Sequence, residues 1–253
     1  MYNELIPILG LIEQLNLRQT NKYHNKKIQS ILLTEYFKIK KQFPYTSIKK
    51  IPFYDICKNN CINLIKWLYS TNYYDKSKLK YHLEISCENG RMRITKFLHK
   101  IYNSEIQDNR VSVSNDLLFV ISCKNNNLKL TKWIYKLGVN IHTDNNDAFI
   151  GSCTRNSMNT SKWLYSLGEI DKNIINMAFF SCCRYGKLRM AKWLYKLGAD
   201  INYSVNGPFR ISCQYGRLKI AKWLYTLGVD INEPDNAAFK FSTQEIKKWL
   251  KTL

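Results

Sequence analysis

Eight cysteines and four histidines are the residues with the most obvious reactive or metal-binding potential. A zinc site needs a tight cluster of deprotonated ligands at set spacings. The close pairs are only Cys57/Cys61 and Cys182/Cys183; no Cys-x-x-Cys occurs, and His24, His82, His99 and His142 are scattered. Cys57, Cys87, Cys123, Cys153, Cys183 and Cys213 instead recur at regular intervals. Free cysteine packs as a small apolar residue. No metal and no cofactor are therefore expected, and the thiols fit a reducing compartment. No Ser/His/Asp set, paired carboxylates, Gly-rich phosphate loop or H-E-x-x-H is found. The chain is not expected to be an enzyme.

The cysteine interval belongs to a repeat. Trp133, Trp163, Trp193 and Trp223 are 30 residues apart, and a cysteine lies ten residues before each. Phe97 lies 36 residues before Trp133, and Trp67 lies 30 before Phe97. Self-similarity at such a period marks a stacked array of small units. Counting from Ile175, the units are 49–78, 79–114, 115–144, 145–174, 175–204 and 205–234. The twelfth residue of each is Asn60, Gly90, Asn126, Asn156, Gly186 or Gly216. Gly and Asn readily take the left-handed conformation that ends a helix. Gly138, Gly168, Gly198 and Gly228, with Asn72, repeat the signal twelve residues later. Each unit therefore predicts two short helices. The second has an apolar face at helical spacing, as in Leu218, Ile220, Ala221, Trp223, Leu224 and Leu227. A pair this small must bury that face on neighbouring pairs.

The unit Pro-Phe-x-x-Ser-Cys-x-x-Gly-x-Leu-x-x-Ala-Lys-Trp-Leu-Tyr-x-Leu-Gly-x-Asp-Ile-Asn resembles the ankyrin repeat, and Gly198-Ala199-Asp200-Ile201-Asn202 nearly reproduces the ankyrin ending. The resemblance covers residues 49–234 and implies an all-α, ankyrin-like solenoid of stacked helix-turn-helix repeats with capping helices at both ends. The residues missing from the usual ankyrin period fall between Asn202 and Pro208, where ankyrin proteins carry a hairpin finger. The Trp-Leu-Tyr triplet and the Lys/Asn/Ile/Tyr-rich composition look like the ankyrin-repeat paralogues of giant DNA viruses of the mimivirus type.

Three surfaces deserve a functional reading. The Trp/Tyr row could form a base-stacking platform, but one aromatic per repeat on an apolar helix face reads as core, with the tyrosines at its edge. On the second helices, Lys129, Lys132 and Lys136, then Arg189, Lys192 and Lys196, then Lys219 and Lys222 share one face. They form a basic stripe, either a solvated face or an electrostatic footprint for nucleic acid or an acidic protein. No exposed aromatics are expected to alternate with it. The resemblance implies a concave side lined by the first helices, where the residues before each left-handed cap vary: Lys124, Arg155, Arg184, Tyr185, Gln214 and Tyr215. Tyr and Arg are preferred interface anchors. These six are the candidate partner-binding residues; ordinary surface drift is the plainer alternative.

At the ends, residues 1–48 read as an N-terminal helical cap, and 235–253 as a truncated capping repeat. The segment Leu15–Leu32 is also similar to the second half of an F-box, without its Leu-Pro opening. Net charge is +20 and the apolar fraction 45%, which implies an acidic partner or a lysine-rich bias. No stretch is long and apolar enough for a membrane span, and the N-terminus lacks signal-peptide character. The expectation is an intracellular monomer, in a host cytoplasm with the nucleus open, that binds a host protein without catalysis. Two alternatives stand beside it: a substrate adaptor for a cullin ubiquitin ligase through residues 1–48, and nucleic-acid or acidic-partner binding through the stripe.

Overall fold

The helix stops are written into the backbone. Asn60, Gly90, Asn126, Asn156, Gly186 and Gly216 all have φ between 55° and 75°. After Gly186 the Lys187 amide donates to the Cys182 carbonyl at 2.9 Å, and Arg91, Ser157 and Arg217 make the same bond to Ser86, Ser152 and Ser212. This six-to-one bond defines a Schellman turn. Gly138, Gly168, Gly198 and Gly228, with φ of 80–92°, close the second helices.

A computed structural model describes residues 22–43, 51–70, 74, 76–105, 114–168, 170–230 and 237–253. Asn72 and Leu15–Asn21 of the F-box-like segment lie outside them. The chain divides into two units, residues 1–112 and 113–253. The first contains α1 (Lys22–Gln42), α2 (Phe53–Lys58), α3 (Ile62–Ser70), a 3-10 turn at Lys76–Lys78, α4 (Leu79–Glu88) and α5 (Met92–Glu105). The second contains α6 (Asn115–Lys124), α7 (Leu128–Tyr135), α8 (Thr143–Thr154), α9 (Met158–Tyr165), α10 (Lys172–Tyr185), α11 (Leu188–Lys196), α12 (Tyr203–Gln214), α13 (Leu218–Thr226), α14 (Ala237–Lys240) and α15 (Gln244–Leu250).

In residues 113–253 the first helices stack as α6, α8, α10, α12 and α14, and the partners α7, α9, α11 and α13 pack beside their own first helices. Phe119, Phe149, Phe179 and Phe209, one from each first helix, are at most 1% exposed. Each such ring contributes about 2–3 kcal/mol of apolar burial. Leu164, Leu194 and Leu224 meet them from the second helices and are equally buried. Ser122, Ser152 and Ser212, each before a repeat cysteine, are buried without penalty because the hydroxyl bonds back to the helix; Ser152 donates to the Phe149 carbonyl at 2.8 Å and pairs with Ser161 at 2.7 Å.

The tryptophans differ from the expectation. Trp67 is 7% exposed, but Trp133, Trp163, Trp193, Trp223 and Trp249 are only partly buried. The phenylalanines fill the centre, so the bulkier indoles close its edge, and Trp163, Trp193, Trp223 and Trp249 each stand edge-on to the tyrosine of the preceding repeat. The Tyr135–Trp163, Tyr165–Trp193, Tyr195–Trp223 and Tyr225–Trp249 centroids are 5.4–6.1 Å apart at 82–85°.

The segment between repeats also differs from a plain short linker. Asp144–Asn146 and Ser204–Asn206 each make three consecutive left-handed residues before the helix proper. Val205, β-branched at φ 53°, sits there 72% exposed. The repeat at 175 has no such turn: Asp171 caps α10 by accepting from the Ile174 amide at 2.9 Å, so the boundary drawn at Ile175 falls inside a helix. Asn140 and Asp200 accept the amides two residues on, at 2.9 Å each, which shapes the loops after α7 and α11.

In residues 1–112, α2 stacks on α4, and α1 lies against α3. Leu32, Tyr36 and Ile39 of α1 are buried. The Glu35 carboxylate accepts from the Leu64 amide at 2.9 Å and the Asn63 side chain at 3.0 Å, capping the start of α3. Lys38 donates to the Asn59 carbonyl at 2.9 Å, and Gln42 exchanges amide bonds with the Asn59 side chain.

Candidate functional site

The residues just before the Schellman turns lie at the surface of the stack. Arg155, Arg184, Tyr185, Gln214 and Tyr215 are exposed, and Lys124 is half-buried. The structure gathers three of them. Arg184 Nη2 donates to the Tyr215 hydroxyl at 2.8 Å. Its guanidinium lies 4.8 Å from the Tyr215 ring centroid and 5.7 Å from that of Tyr185. Tyr185 remains 51% exposed and Tyr215 39%. This is an ordered aromatic–guanidinium patch spanning two repeats. Its base is fixed from below, where Arg217 Nε donates to the Arg184 carbonyl at 3.0 Å. Ser157 makes the corresponding bond to the Lys124 carbonyl at 2.8 Å, and Arg91 to that of Lys58. Lys124 is held elsewhere, in an ion pair of 2.6 Å with Asp147. Gln214 is exposed and forms no side-chain bond within this patch.

Sequence reasoning missed Arg217 and Asp147. Arg217 follows a cap residue and reads as a helix-start residue; only stacking brings it under a partner 33 positions earlier. Asp147 carried a usable signal, because the equivalent positions in neighbouring units are Leu117, Met177 and Gly207.

The basic stripe exists as a surface: Lys129, Lys132, Lys136, Arg189, Lys192, Lys196, Lys219 and Lys222 are all exposed. It is not free of aromatics. Lys132, Lys192 and Lys222 lie 5.7–5.9 Å from the ring centroids of Trp163, Trp223 and Trp249, each in the next repeat. Cations and half-buried indoles therefore interleave, because the phenylalanines displaced the tryptophans to the edge. Such pairs contribute about 0.5–1 kcal/mol at exposed sites.

The reactive residues are withdrawn. All eight cysteines are buried, and burial pushes the Cys57, Cys87, Cys153 and Cys183 thiols up to about 12. Thiols held this way are poor nucleophiles. Among the described residues, no group of three or more His, Cys, Asp and Glu side chains could hold a metal ion. His82 is 3% exposed. It stacks on Phe53 at 4.0 Å and shares a 2.6 Å bond with the Tyr69 hydroxyl. Burial, assisted by Lys78, lowers it to about 4. Among the described residues no helix is long and apolar enough to cross a membrane.

The family model described as "Ankyrin repeats (many copies)" matches residues 179–225. No curated protein sequence matches. Among solved structures, the chain is similar to the human ASB11 ankyrin repeat domain, with a TM-score of 0.52 and 13% identity over 78% of this chain and 93% of that one. The fold class is all-α and ankyrin-like, built from stacked helix-turn-helix repeats. Folds of this class ordinarily serve as protein-interaction scaffolds and are typically non-catalytic.

Proposed function

We propose that this protein is a non-catalytic scaffold that binds a partner protein through the cap-proximal surface of residues 113–253, centred on Arg184, Tyr185 and Tyr215. The observation that carries this reading is the Arg184–Tyr215 bond of 2.8 Å with its stacked guanidinium. It holds exposed anchor residues in place before binding. Less ordering entropy is then lost on association, and Tyr and Arg are the types that dominate interface energetics. On the resemblance of the Trp-Leu-Tyr units to giant-virus paralogues, we read the partner as a host protein met inside the cell by a monomer. Residues 1–48 act as a cap, 49–234 as six repeats and 235–253 as the closing unit; the docking of α1 on α3 supports the first of these. The test is capture of partners from nuclease-treated cell extract, followed by affinity measurement on the purified partner. Tyr185→Ala with Tyr215→Ala is expected to weaken binding at least about 30-fold. Unchanged affinity overturns the reading.

A second reading, nucleic-acid binding on the stripe, is favoured by one observation. Trp193 lies in a shallow hollow of about 190 Å³ with Lys162, Arg189, Lys192 and Lys196 around it. An aromatic face among cations suits single strands. Binding of that kind falls steeply with salt and is lost on charge reversal at Lys192 and Lys196. The adaptor reading rests on the F-box-like segment and on the exposed Ile31 and Phe37 of α1. It requires that deleting residues 1–45 abolish association with cullin-ligase components.

A further inference from the structure

One position breaks the repeat's own rule. Two residues before the repeat cysteine stand Asp55 in the first unit and Ile85, Ile121 and Ile211 in three others, but the small Gly151 and Ser181 in two successive units. An open groove of about 570 Å³ runs across α8 and α10 at these two small residues. That volume is within the roughly 300–1,000 Å³ of small-ligand sites. Three cations line it, Lys124, Arg155 and Lys187, against one carboxylate, Asp147. Lys124 reaches Asp147 by lying across Gly151, where any Cβ would come 2.5 Å from its Cε. The glycine is thus the reason this ion pair can form, and no other unit has the pair of residues needed to copy it. Among the described residues, neither Arg155 nor Lys187 has an ion-pair partner. Tyr185 borders the groove and also belongs to the Arg184–Tyr215 patch, so the two surfaces are continuous.

We propose that this groove docks an acidic segment of the partner protein. A carboxylate side chain enters over Ser181, beside the Lys124 side chain that covers Gly151, and lies between Arg155 and Lys187. The inference rests on the scaffold reading above and names the chemistry of its partner. Three arguments favour an acidic peptide. The lining carries excess positive charge on a chain of net charge +20, which draws acidic partners. A planar guanidinium donates two parallel hydrogen bonds to a carboxylate. The trough is open and runs into an exposed tyrosine patch, as a binding site for an extended chain does.

The test uses the full chain and two fluorescein-labelled octapeptides, one alternating glutamate and alanine, the other glutamine and alanine. Anisotropy is read at low and near-physiological salt. The glutamate peptide binds, and the glutamine peptide is weaker by about tenfold or more. Ser181→Ile, which restores the isoleucine of other units, and Arg155→Glu each weaken the glutamate peptide by about tenfold or more. At near-physiological salt, Lys192→Glu with Lys196→Glu, on the stripe and outside the groove lining, changes it by less than about twofold, because exposed charges that do not contact the peptide are largely screened there. Circular dichroism confirms that Ser181→Ile stays folded, and exposed Arg155 supplies the variant free of that concern. The proposal is overturned if the glutamate peptide does not bind, if Ser181→Ile folds and binds like the parent, or if the stripe variant weakens binding as much as Arg155→Glu. Partner capture that survives Ser181→Ile but fails with Tyr215→Ala overturns the groove and leaves the scaffold reading standing. Peptide binding that follows the expected pattern, with a captured protein indifferent to Tyr185→Ala and Tyr215→Ala, overturns the scaffold reading and leaves the groove.

Discussion

Gly138→Ala isolates the backbone term that terminates the second helix of a repeat. Gly138 has φ +80°, and a Cβ built there meets nothing within 4 Å. No packing is gained or lost, so the change in stability is conformational. Holding an L-residue in the left-handed region costs about 1–2 kcal/mol. Alanine also lowers the entropy of the unfolded chain, which offsets about 0.4–1 kcal/mol. The net loss is about 1 kcal/mol. With a urea slope of about 2 kcal/mol/M, the midpoint falls by about 0.5 M. Gly138→Asn costs less, about half, because asparagine bonds locally in this conformation; the same chain uses Asn60, Asn126 and Asn156 at φ 55–61°. Gly186→Ala is the second arm. It carries the same strain, and its Cβ lies 3.1 Å from Arg217 Cδ. Moving Arg217 breaks its bond to the Arg184 carbonyl, which adds about 1 kcal/mol. Urea unfolding followed by tryptophan fluorescence and circular dichroism reads all three variants. A Gly138→Ala midpoint at or above the parent, or a Gly186→Ala loss no greater than that of Gly138→Ala, refutes the reasoning.

His82 makes residues 51–105 acid-sensitive. Its folded value of about 4 lies below the ordinary 6.5, so the unfolded chain binds the proton first as pH falls. Stability is complete above pH 6.5 and declines between 6.5 and about 4, by about 3 kcal/mol in all; hydrogen exchange across α4 and α5 at pH 7 and 4.5 measures it, and equal opening free energies contradict it. Glu35→Ala removes the acceptor for the Leu64 amide and is expected to cost residues 1–112 about 1–2 kcal/mol. Faster exchange in the first turn of α3 reports the loss, and an unchanged turn shows that the carboxylate is not its cap.

The backbone plan was legible in the residues. Glycine and asparagine at fixed intervals encode left-handed stops, a local conformational fact that needs no neighbours. The 30-residue period and the apolar helix faces then require stacking, because no single pair can bury its own face. The exposure of Arg155, Arg184, Tyr185, Gln214 and Tyr215 followed from their place beside those stops. What the sequence alone did not decide is which of two large apolar residues per repeat takes the centre. Phe and Trp both lie on inward faces, and only the fit between stacked helices puts the phenylalanines inside and leaves the indoles at the rim beside Lys132, Lys192 and Lys222. The same holds for contacts 33 and 23 residues apart in the chain. Arg217 beneath Arg184, and Lys124 across Gly151 to Asp147, come from different repeats, and their meeting depends on the stacking distance and on the absence of one side chain. Local conformation is set by each residue and its neighbours in the chain; surface chemistry is set by which repeats are brought together.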